Sequence, residues 1–253
     1  IHWKARLVAR GFMAEEGMDF FKTFSAMSHP VHIRALMALA AQKGWTTNQT
    51  DISTAYLYGE IEEEIYLTPP KGLEHLVTQG KVMRLKKGVY GLSQSGRVFY
   101  KQLIQEIQNY ESQGTTVTAV TEDKCIHIIQ RGTSTLVIAT VVDDMLQITN
   151  DETLLNDFNS YIKQRYKTTD NGPVKWFLGV NFEQYEDGSF HASQTAFIEK
   201  MLTKFGIDGK DECKTPLEKG FTISDEDLTD NPLPEHVNLA RQILGSLTYV
   251  QMW

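Results

Sequence analysis

Asp143 and Asp144 form a pair of adjacent carboxylates that interrupts a strand-like run. The preceding residues, 136–142, are apolar and rich in β-branched side chains, which predicts a buried strand. The apolar pattern resumes at residues 145–148, so we expect the acidic pair on the tight turn of a β-hairpin. Two carboxylates ~4 Å apart repel each other by about 4 kcal/mol at an effective dielectric near 20. A divalent cation between them would remove that cost, and a solvated acidic turn is the plainer alternative.

A third carboxylate, Asp51, ends another strand-like segment, residues 45–50. One carboxylate after a first strand and two on a later hairpin are typical of palm-domain nucleotide polymerases. In such enzymes two Mg²⁺ ions about 3.5–4 Å apart hold the attacking hydroxyl and the leaving group. Mg²⁺ binds through a few carboxylates together with substrate phosphates, so this sparse ligand set suits it.

Five segments extend the pattern beyond the acidic residues. They read KARLVARGF at 4–12, TDISTAYL at 50–57, EEEIY at 62–66, LKKGVYGLSQ at 85–94 and VDDML at 142–146. In this order they resemble the reverse transcriptase of copia-type LTR retrotransposons, and the resemblance continues through FLG at 177–179 to LGSL at 244–247.

The resemblance implies an α+β fold of the right-hand palm-polymerase type. Interleaved fingers and palm would occupy residues 1–170, and a primer grip and thumb residues 171–213. Residues 214–253 would form an acidic linker and the start of a connection region. The chain would then be a piece of a longer Pol polyprotein.

The same resemblance assigns catalytic and metal-binding roles to the acidic residues. Asp51 and Asp143 would bind both of two Mg²⁺ ions, for which Mn²⁺ is a possible substitute. Asp144 would be the less direct carboxylate, which shapes the site more than it holds the ions. The backbone carbonyl of Ile52 would be a further metal ligand.

Four residues are expected to bind the incoming nucleotide. Tyr56, five residues after Asp51, matches the steric gate, an aromatic ring that leaves no room for a 2′-hydroxyl. Lys4 and Arg6 share one face of a predicted strand and would reach the triphosphate. Gln94 would contact the nucleotide sugar and help position the template. The structural alternatives are a core tyrosine, a solvated basic strand and a plain loop before a helix.

Primer contacts are expected at two places: at Val141 and Val142 before the acidic pair, and at Phe177, Leu178 and Gly179, which resemble the primer grip. The family usually has an aromatic residue at position 141, so primer positioning or fidelity would differ here. A proline is also frequent in the family where this chain has Gly96. No second acidic cluster resembles an RNase H site, so degradation of an RNA template would belong to another domain.

Composition and charge restrict the function only weakly. A net charge of −7 argues mildly against nucleic-acid binding, but basic residues gather at 4–10, 81–101 and 163–167 and would form a channel. Two cysteines, Cys125 and Cys213, make neither a disulfide framework nor a zinc motif, which fits a reducing compartment. With the family resemblance, this predicts a cytoplasmic retrotransposon particle. No apolar stretch reaches 18 residues, so the sequence predicts no membrane span.

Hydrophobic periodicity predicts the elements that position these residues. Helices are expected at 31–43 with Pro30 in the first turn, at 96–111, at 151–165 and at 194–205. Residues 4–10 alternate like a half-buried strand with Ala5, Leu7 and Ala9 inward. Residues 177–185 and 189–192 predict a hairpin, and 215–235 an acidic linker.

The sequence therefore predicts an RNA-directed DNA polymerase that adds dNTPs to a primer. Its partners would be an RNA or DNA template, a tRNA or oligonucleotide primer, and dNTPs. Two alternatives stay open. An RNA-dependent RNA polymerase would need a small or polar residue in place of Tyr56, and a catalytically inactive module of a decayed element would bind nucleic acid without turnover.

Overall fold

The structure, a computed structural model, describes residues 5–15, 17, 20, 23, 25–78, 80–110, 114–207, 215, 220–222, 224 and 233–253. The chain divides into two compact units, Ile1–Val174 and Lys175–Trp253. We describe each unit by itself. The three-part division by subdomain stays a prediction.

The first unit is built on a six-stranded antiparallel sheet. Its strands follow the spatial order β4-β5-β6-β7-β1-β8. They are β1 (Thr46–Ile52), β4 (Thr115–Ala119), β5 (Ile126–Arg131), β6 (Ser134–Val141), β7 (Asp144–Thr149) and β8 (Thr168–Gly172). A separate two-stranded ribbon joins β2 (Tyr66–Leu67) to β3 (Met83–Arg84).

Three helices accompany the sheet: α1 (Pro30–Lys43), α2 (Ser95–Gln108) and α3 (Glu152–Lys163). The Asp151 carboxylate caps α3 by accepting from the backbone N–H groups of Thr153 and Leu154. The predicted helices of this unit are confirmed, with ends shifted by up to three residues. Side chains of α2 and α3 form the core with the inner face of the sheet: Phe99, Leu103, Ile107, Leu154, Leu155, Phe158 and Ile162, against Ile138 and Met145.

The strand predicted at 4–10 is wrong over the residues described. Lys4 lies outside the described residues, and residues 5–10 make a single bridge, between Val8 and Tyr90. Of the three side chains expected to face inward, only Ala9 is buried, whereas Leu7 is 48% exposed. Gly91, the residue after Tyr90, has a φ of 86°, which is not strand backbone, so the ladder does not continue past this bridge.

In its described residues, the second unit joins a small sheet to two helices. Its strands are β9 (Trp176–Phe177), β10 (Val180–Gln184) and β11 (Phe190–Ser193), and its helices are α4 (Thr195–Phe205) and α5 (Pro234–Met252). The predicted β10–β11 hairpin and α4 are confirmed. One continuous strand from 177 to 185 is wrong, because a turn at Leu178 and Gly179 separates β9 from β10. Most of the predicted linker, 215–235, lies outside the described residues. Among the helices in the described ranges, none is both long and apolar enough to cross a bilayer.

Candidate active site

The acidic pair lies on the predicted β6–β7 hairpin, and the two carboxylates occupy different positions in it. Val142 and Asp143 form the two-residue turn, and Asp144 is the first residue of β7, paired with Val141. Val142 has a φ of 56°, the left-handed region that β-branched residues rarely adopt. Such strain costs on the order of 1–3 kcal/mol and is concentrated at functional sites.

Asp51 lies directly beside this hairpin. In the antiparallel β1–β7 register Asp51 is opposite Asp144, and the Ile52 N–H donates to the carbonyl oxygen of Asp143 at 2.8 Å. Side chains of directly opposite residues have Cβ atoms about 4.5–5.5 Å apart. Three carboxylates that are distant in sequence therefore come together at one end of the sheet, and all three are half-buried.

Gln49 holds one of these carboxylates in place. Its side-chain Nε2 donates to Asp144 Oδ1 at 3.3 Å, and it lies on the same face of β1 as Asp51, two residues away. Burial raises the pKa of Asp144, the Gln49 hydrogen bond opposes this, and the charges of Asp143 and Asp51 raise the pKa further. The β1–β8 pairing slips between Gln49 and Thr50, an irregularity of the kind often found beside active sites.

The donor set at this end of the sheet fits Mg²⁺. It consists of carboxylate oxygens, which mutually repel and which Mg²⁺ prefers to nitrogen or sulfur. Within the described ranges no three His, Cys, Asp or Glu side chains are arranged to hold a metal by themselves. Mg²⁺ does not require such a cage, because substrate phosphates and water complete its octahedral shell. The metal-binding roles of Asp51, Asp143, Asp144 and the Ile52 carbonyl stay predictions.

Tyr56 stands next to the acidic turn on a short 3₁₀ turn, Ala55–Leu57. Its ring meets the ring of Tyr90 edge-on, with centroids 5.2 Å apart, and a Cβ added at Gly96 would lie 3.8 Å from its Cε1. Burial raises the pKa of the Tyr56 hydroxyl, and the charge of Asp143 raises it further. The backbone is equally confined, since a Cβ at Gly88 would lie 2.5 Å from the Tyr56 carbonyl oxygen. Tyr56 is therefore partly buried, with its ring against Tyr90 and its backbone against Gly88.

Arg6 reaches the same neighbourhood through Tyr90. Its guanidinium carbon lies 5.3 Å from the centre of the Tyr90 ring, so a cation–π contact joins Arg6 to the aromatic pair. Arg6 also lines a cleft of about 720 Å³, together with Arg10, Lys71 and Gln94. Three cationic residues thus line the cleft, Arg6, Arg10 and Lys71, which suits a phosphate-bearing ligand. The predicted role of Lys4 cannot be placed, because that residue is outside the described range.

Gln94 immediately precedes α2 and is only 2% exposed. Its small exposed surface belongs to the walls of two clefts, one shared with Arg6 and the other with Arg97 and Lys101. A contact with a nucleotide sugar would therefore involve little of its side chain, and that role stays a prediction.

The predicted primer contacts fall in both units. Val141 is buried and, as the partner of Asp144, lies on the same face of the sheet as the carboxylates. Phe177 is buried in the second unit, and Leu178 and Gly179 form the turn between β9 and β10.

Asp123 anchors the segment that leads into α1, and sequence reasoning missed it. Its carboxylate accepts from Ser28 Oγ at 2.8 Å and from the His29 and Cys125 N–H groups at 3.2 and 2.9 Å, and lies 2.7 Å from His32 Nδ1. Burial alone would raise the pKa of Asp123, but these hydrogen bonds lower it. The Ser28 N–H also donates to the carbonyl oxygen of Thr140 in β6. The segment that Asp123 holds is therefore hydrogen-bonded to the acidic hairpin as well.

Comparison with known proteins identifies the family of this chain. The family described as reverse transcriptase (RNA-dependent DNA polymerase) matches residues 1–219. The retrovirus-related Pol polyprotein from transposon RE1 of Arabidopsis thaliana is 30% identical over 98% of this chain and 16% of its own length. The corresponding protein from transposon TNT 1-94 of Nicotiana tabacum is 28% identical over 100% of this chain and 19% of its own length.

A truncated transposon Ty1-A Gag-Pol polyprotein of Saccharomyces cerevisiae is 30% identical over 98% of this chain and 21% of its own length. The chain thus spans about a fifth or less of the curated relatives it matches. No solved structure matches it. The resemblance read from the five sequence segments is confirmed: this chain belongs to the reverse transcriptase family, among the Pol polyproteins of copia-type transposons.

Proposed function

We propose that this chain is an RNA-directed DNA polymerase, which adds dNTPs to the 3′ end of a primer on an RNA or DNA template. The observation that carries the proposal is the β1–β7 register, which sets Asp51 opposite Asp144 with Asp143 on the adjoining turn. In this proposal the fingers and palm lie within residues 1–170, the primer grip and thumb within 171–213, and an acidic linker and the start of a connection region within 214–253. The natural setting would be a retrotransposon particle in the cytoplasm with a tRNA or oligonucleotide primer.

The reaction would be an in-line attack of the primer 3′-hydroxyl on the α-phosphate of the dNTP, which releases pyrophosphate. Bound Mg²⁺ would neutralise charge on the attacking and leaving oxygens. The chain itself would contribute positioning: Asp51 and Asp143 would fix the ion positions, and Gln49 would orient Asp144. Catalysis of phosphoryl transfer depends mainly on such positioning and on charge stabilisation.

Tyr56 and Arg6 would select and hold the nucleotide. The Tyr56 ring packs edge-on against Tyr90, and in this proposal that contact would hold the ring where a 2′-hydroxyl would collide with it. Exclusion of that hydroxyl would give preference for dNTPs over rNTPs. Arg6, held against Tyr90, would offer its planar donors to the triphosphate.

Primer extension on poly(rA)/oligo(dT) with dTTP and Mg²⁺ tests the proposal. We expect the wild-type chain to extend the primer and Asp143→Asn to abolish extension while it still binds the duplex. Asp187→Asn, an exposed Asp-to-Asn change in the β10–β11 turn, is the matched control and should extend normally. Full extension by Asp143→Asn would refute the assignment of the carboxylates.

The same assay separates the two alternatives. An inactive nucleic-acid-binding module would bind the hybrid but not extend it with either Mg²⁺ or Mn²⁺. An RNA-dependent RNA polymerase would incorporate rNTPs in preference to dNTPs. Either result would replace the proposed function.

A further inference from the structure

The turn between β9 and β10 has a backbone conformation that its sequence does not favour. Phe177 pairs with Val180, so Leu178 and Gly179 form a two-residue hairpin turn with φ values of 50° and 76°. Turns with positive φ at both central residues favour Asn-Gly or Gly-Gly. Leucine rarely adopts positive φ, so a contact from elsewhere must stabilise Leu178 in this conformation.

Tyr249 on α5 supplies that contact. Its hydroxyl donates a hydrogen bond to the carbonyl oxygen of Leu178. Its ring packs against Phe197 of α4, with centroids 4.5 Å apart, which fixes the direction of the hydroxyl. A Cβ at Gly179 would collide with the same hydroxyl, so only glycine permits this close approach.

Through Tyr249, the Leu178–Gly179 turn, α4 and α5 contact one another within the second unit. Tyr249 is 71 residues from Leu178 in sequence, and α5 begins at Pro234, beyond the residues 1–219 that match the family. The turn that resembles the primer grip is therefore held by a helix outside the matched region.

We propose that Tyr249 is a positioning residue for the primer terminus, which it serves by fixing the Leu178–Gly179 turn. The inference rests on the proposed polymerase function and extends the polymerase to α5. Consecutive backbone N–H groups in turns form concave sites for anions, and the primer backbone is a chain of phosphates. The ligand of the turn would be the sugar-phosphate backbone of the last primer nucleotides.

The first experiment compares Tyr249→Phe with wild type. This change removes the hydroxyl but leaves the ring against Phe197. Tyr185→Phe, a matched change at a half-exposed tyrosine of the same unit, is the control. We expect Tyr249→Phe to weaken binding of a fluorescein-labelled RNA–DNA hybrid roughly 2- to 10-fold, the equivalent of one hydrogen bond. The KM for primer-template should rise by a similar factor while the KM for dTTP is unchanged.

A double-mutant cycle tests whether the effect acts through the turn. Asparagine adopts the left-handed conformation more easily than leucine, so Leu178→Asn should make the turn less dependent on Tyr249. In the Leu178→Asn background we expect Tyr249→Phe to weaken hybrid binding less than twofold. Hydrogen exchange at the amides of residues 178–180 should be faster in Tyr249→Phe than in wild type.

Each outcome of these experiments either supports or overturns the proposed role of Tyr249. Equal hybrid affinity for Tyr249→Phe and wild type, or an equal loss with Tyr185→Phe, would overturn the inference, as would a loss undiminished by Leu178→Asn. Failure of the wild-type chain to bind the hybrid would also overturn it. If wild type binds the hybrid without extending it, the proposed function fails. The affinities for the fluorescein-labelled hybrid, measured by fluorescence anisotropy, still test the role of Tyr249.

Discussion

Because of His127 on β5, we expect the free energy of unfolding to fall in acid. Its side chain is completely buried, and neither ring nitrogen has a hydrogen-bond partner among the described residues. Burial lowers the pKa of His127 to about 4; the charge of Asp123 opposes this shift and the charge of Lys124 adds to it. The imidazole is therefore neutral in the folded protein at neutral pH.

The direction and size of the effect follow from proton linkage. Because the folded-state pKa lies below the unfolded value of about 6.5, the unfolded chain binds more protons between these two values, and stability falls as the pH falls. Between pH 7 and pH 5 the cost is about 2 kcal/mol, and it approaches roughly 3 kcal/mol below pH 4. Above pH 7 His127 contributes almost no pH dependence.

Guanidinium unfolding at pH 7 and pH 5 measures this cost. We expect wild type to lose about 2 kcal/mol more between the two pH values than His127→Leu or His127→Gln. The two substitutions differ in size and polarity, so their stabilities at pH 7 will differ, but both remove the titrating group. A wild-type pH dependence identical to that of both variants would refute the reasoning.

Three further substitutions test the candidate site. Tyr56→Ala should admit rNTPs, measured as the ratio of kcat/KM for dTTP and UTP, and an unchanged ratio would remove Tyr56 from the gate. Gln49→Leu should raise the Mg²⁺ concentration for half-maximal extension by roughly 2- to 10-fold, the value of one lost hydrogen bond. Calorimetric titration of Mg²⁺ should show the same weakening without turnover. Equal Mg²⁺ affinity in Gln49→Leu and wild type would contradict the orienting role of Gln49. Asp123→Ala should destabilise the chain by about 2–3 kcal/mol, because Ser28 and His32 lose a buried acceptor. Guanidinium unfolding at pH 7 measures this loss, and a clearly smaller value would contradict the anchoring role of Asp123.

Helices and their buried faces could be predicted from the sequence because their signal is local. Leu154, Leu155, Phe158 and Ile162 repeat at helical spacing, and all four are buried in α3. Residues 4–10 also have a clear period of two, yet the described part of this segment, residues 5–10, does not form a strand. A strand needs a partner along its length, and alternation does not reveal one. Within the described ranges, residues 5–10 form a bridge only at Val8, with Tyr90.

The acidic residues of the candidate site could be predicted by type but not by geometry. Each stands at or beside the end of an apolar or strand-like segment, which is a local signal. The register that places Asp51 opposite Asp144 joins residues 93 positions apart. Gln49 could have been recognised, since it shares a strand face with Asp51, whereas Asp123 and Tyr249 act through contacts that no local pattern shows.

The two turns show what the sequence reveals about a hairpin and what it does not. Glycine and asparagine are the usual signals of a two-residue hairpin turn, but Val142 and Leu178 both stand at a first central position with positive φ. An acidic pair marks the first turn, whereas nothing in the sequence marks the second, and the pattern of residues 177–185 predicts a continuous strand there. Such residues persist only where surrounding contacts hold them: the Ile52 N–H on Asp143 at one turn, and the Tyr249 hydroxyl at the other. Local preference is thus overridden at two positions predicted to contact the primer, which is where a functional constraint would act.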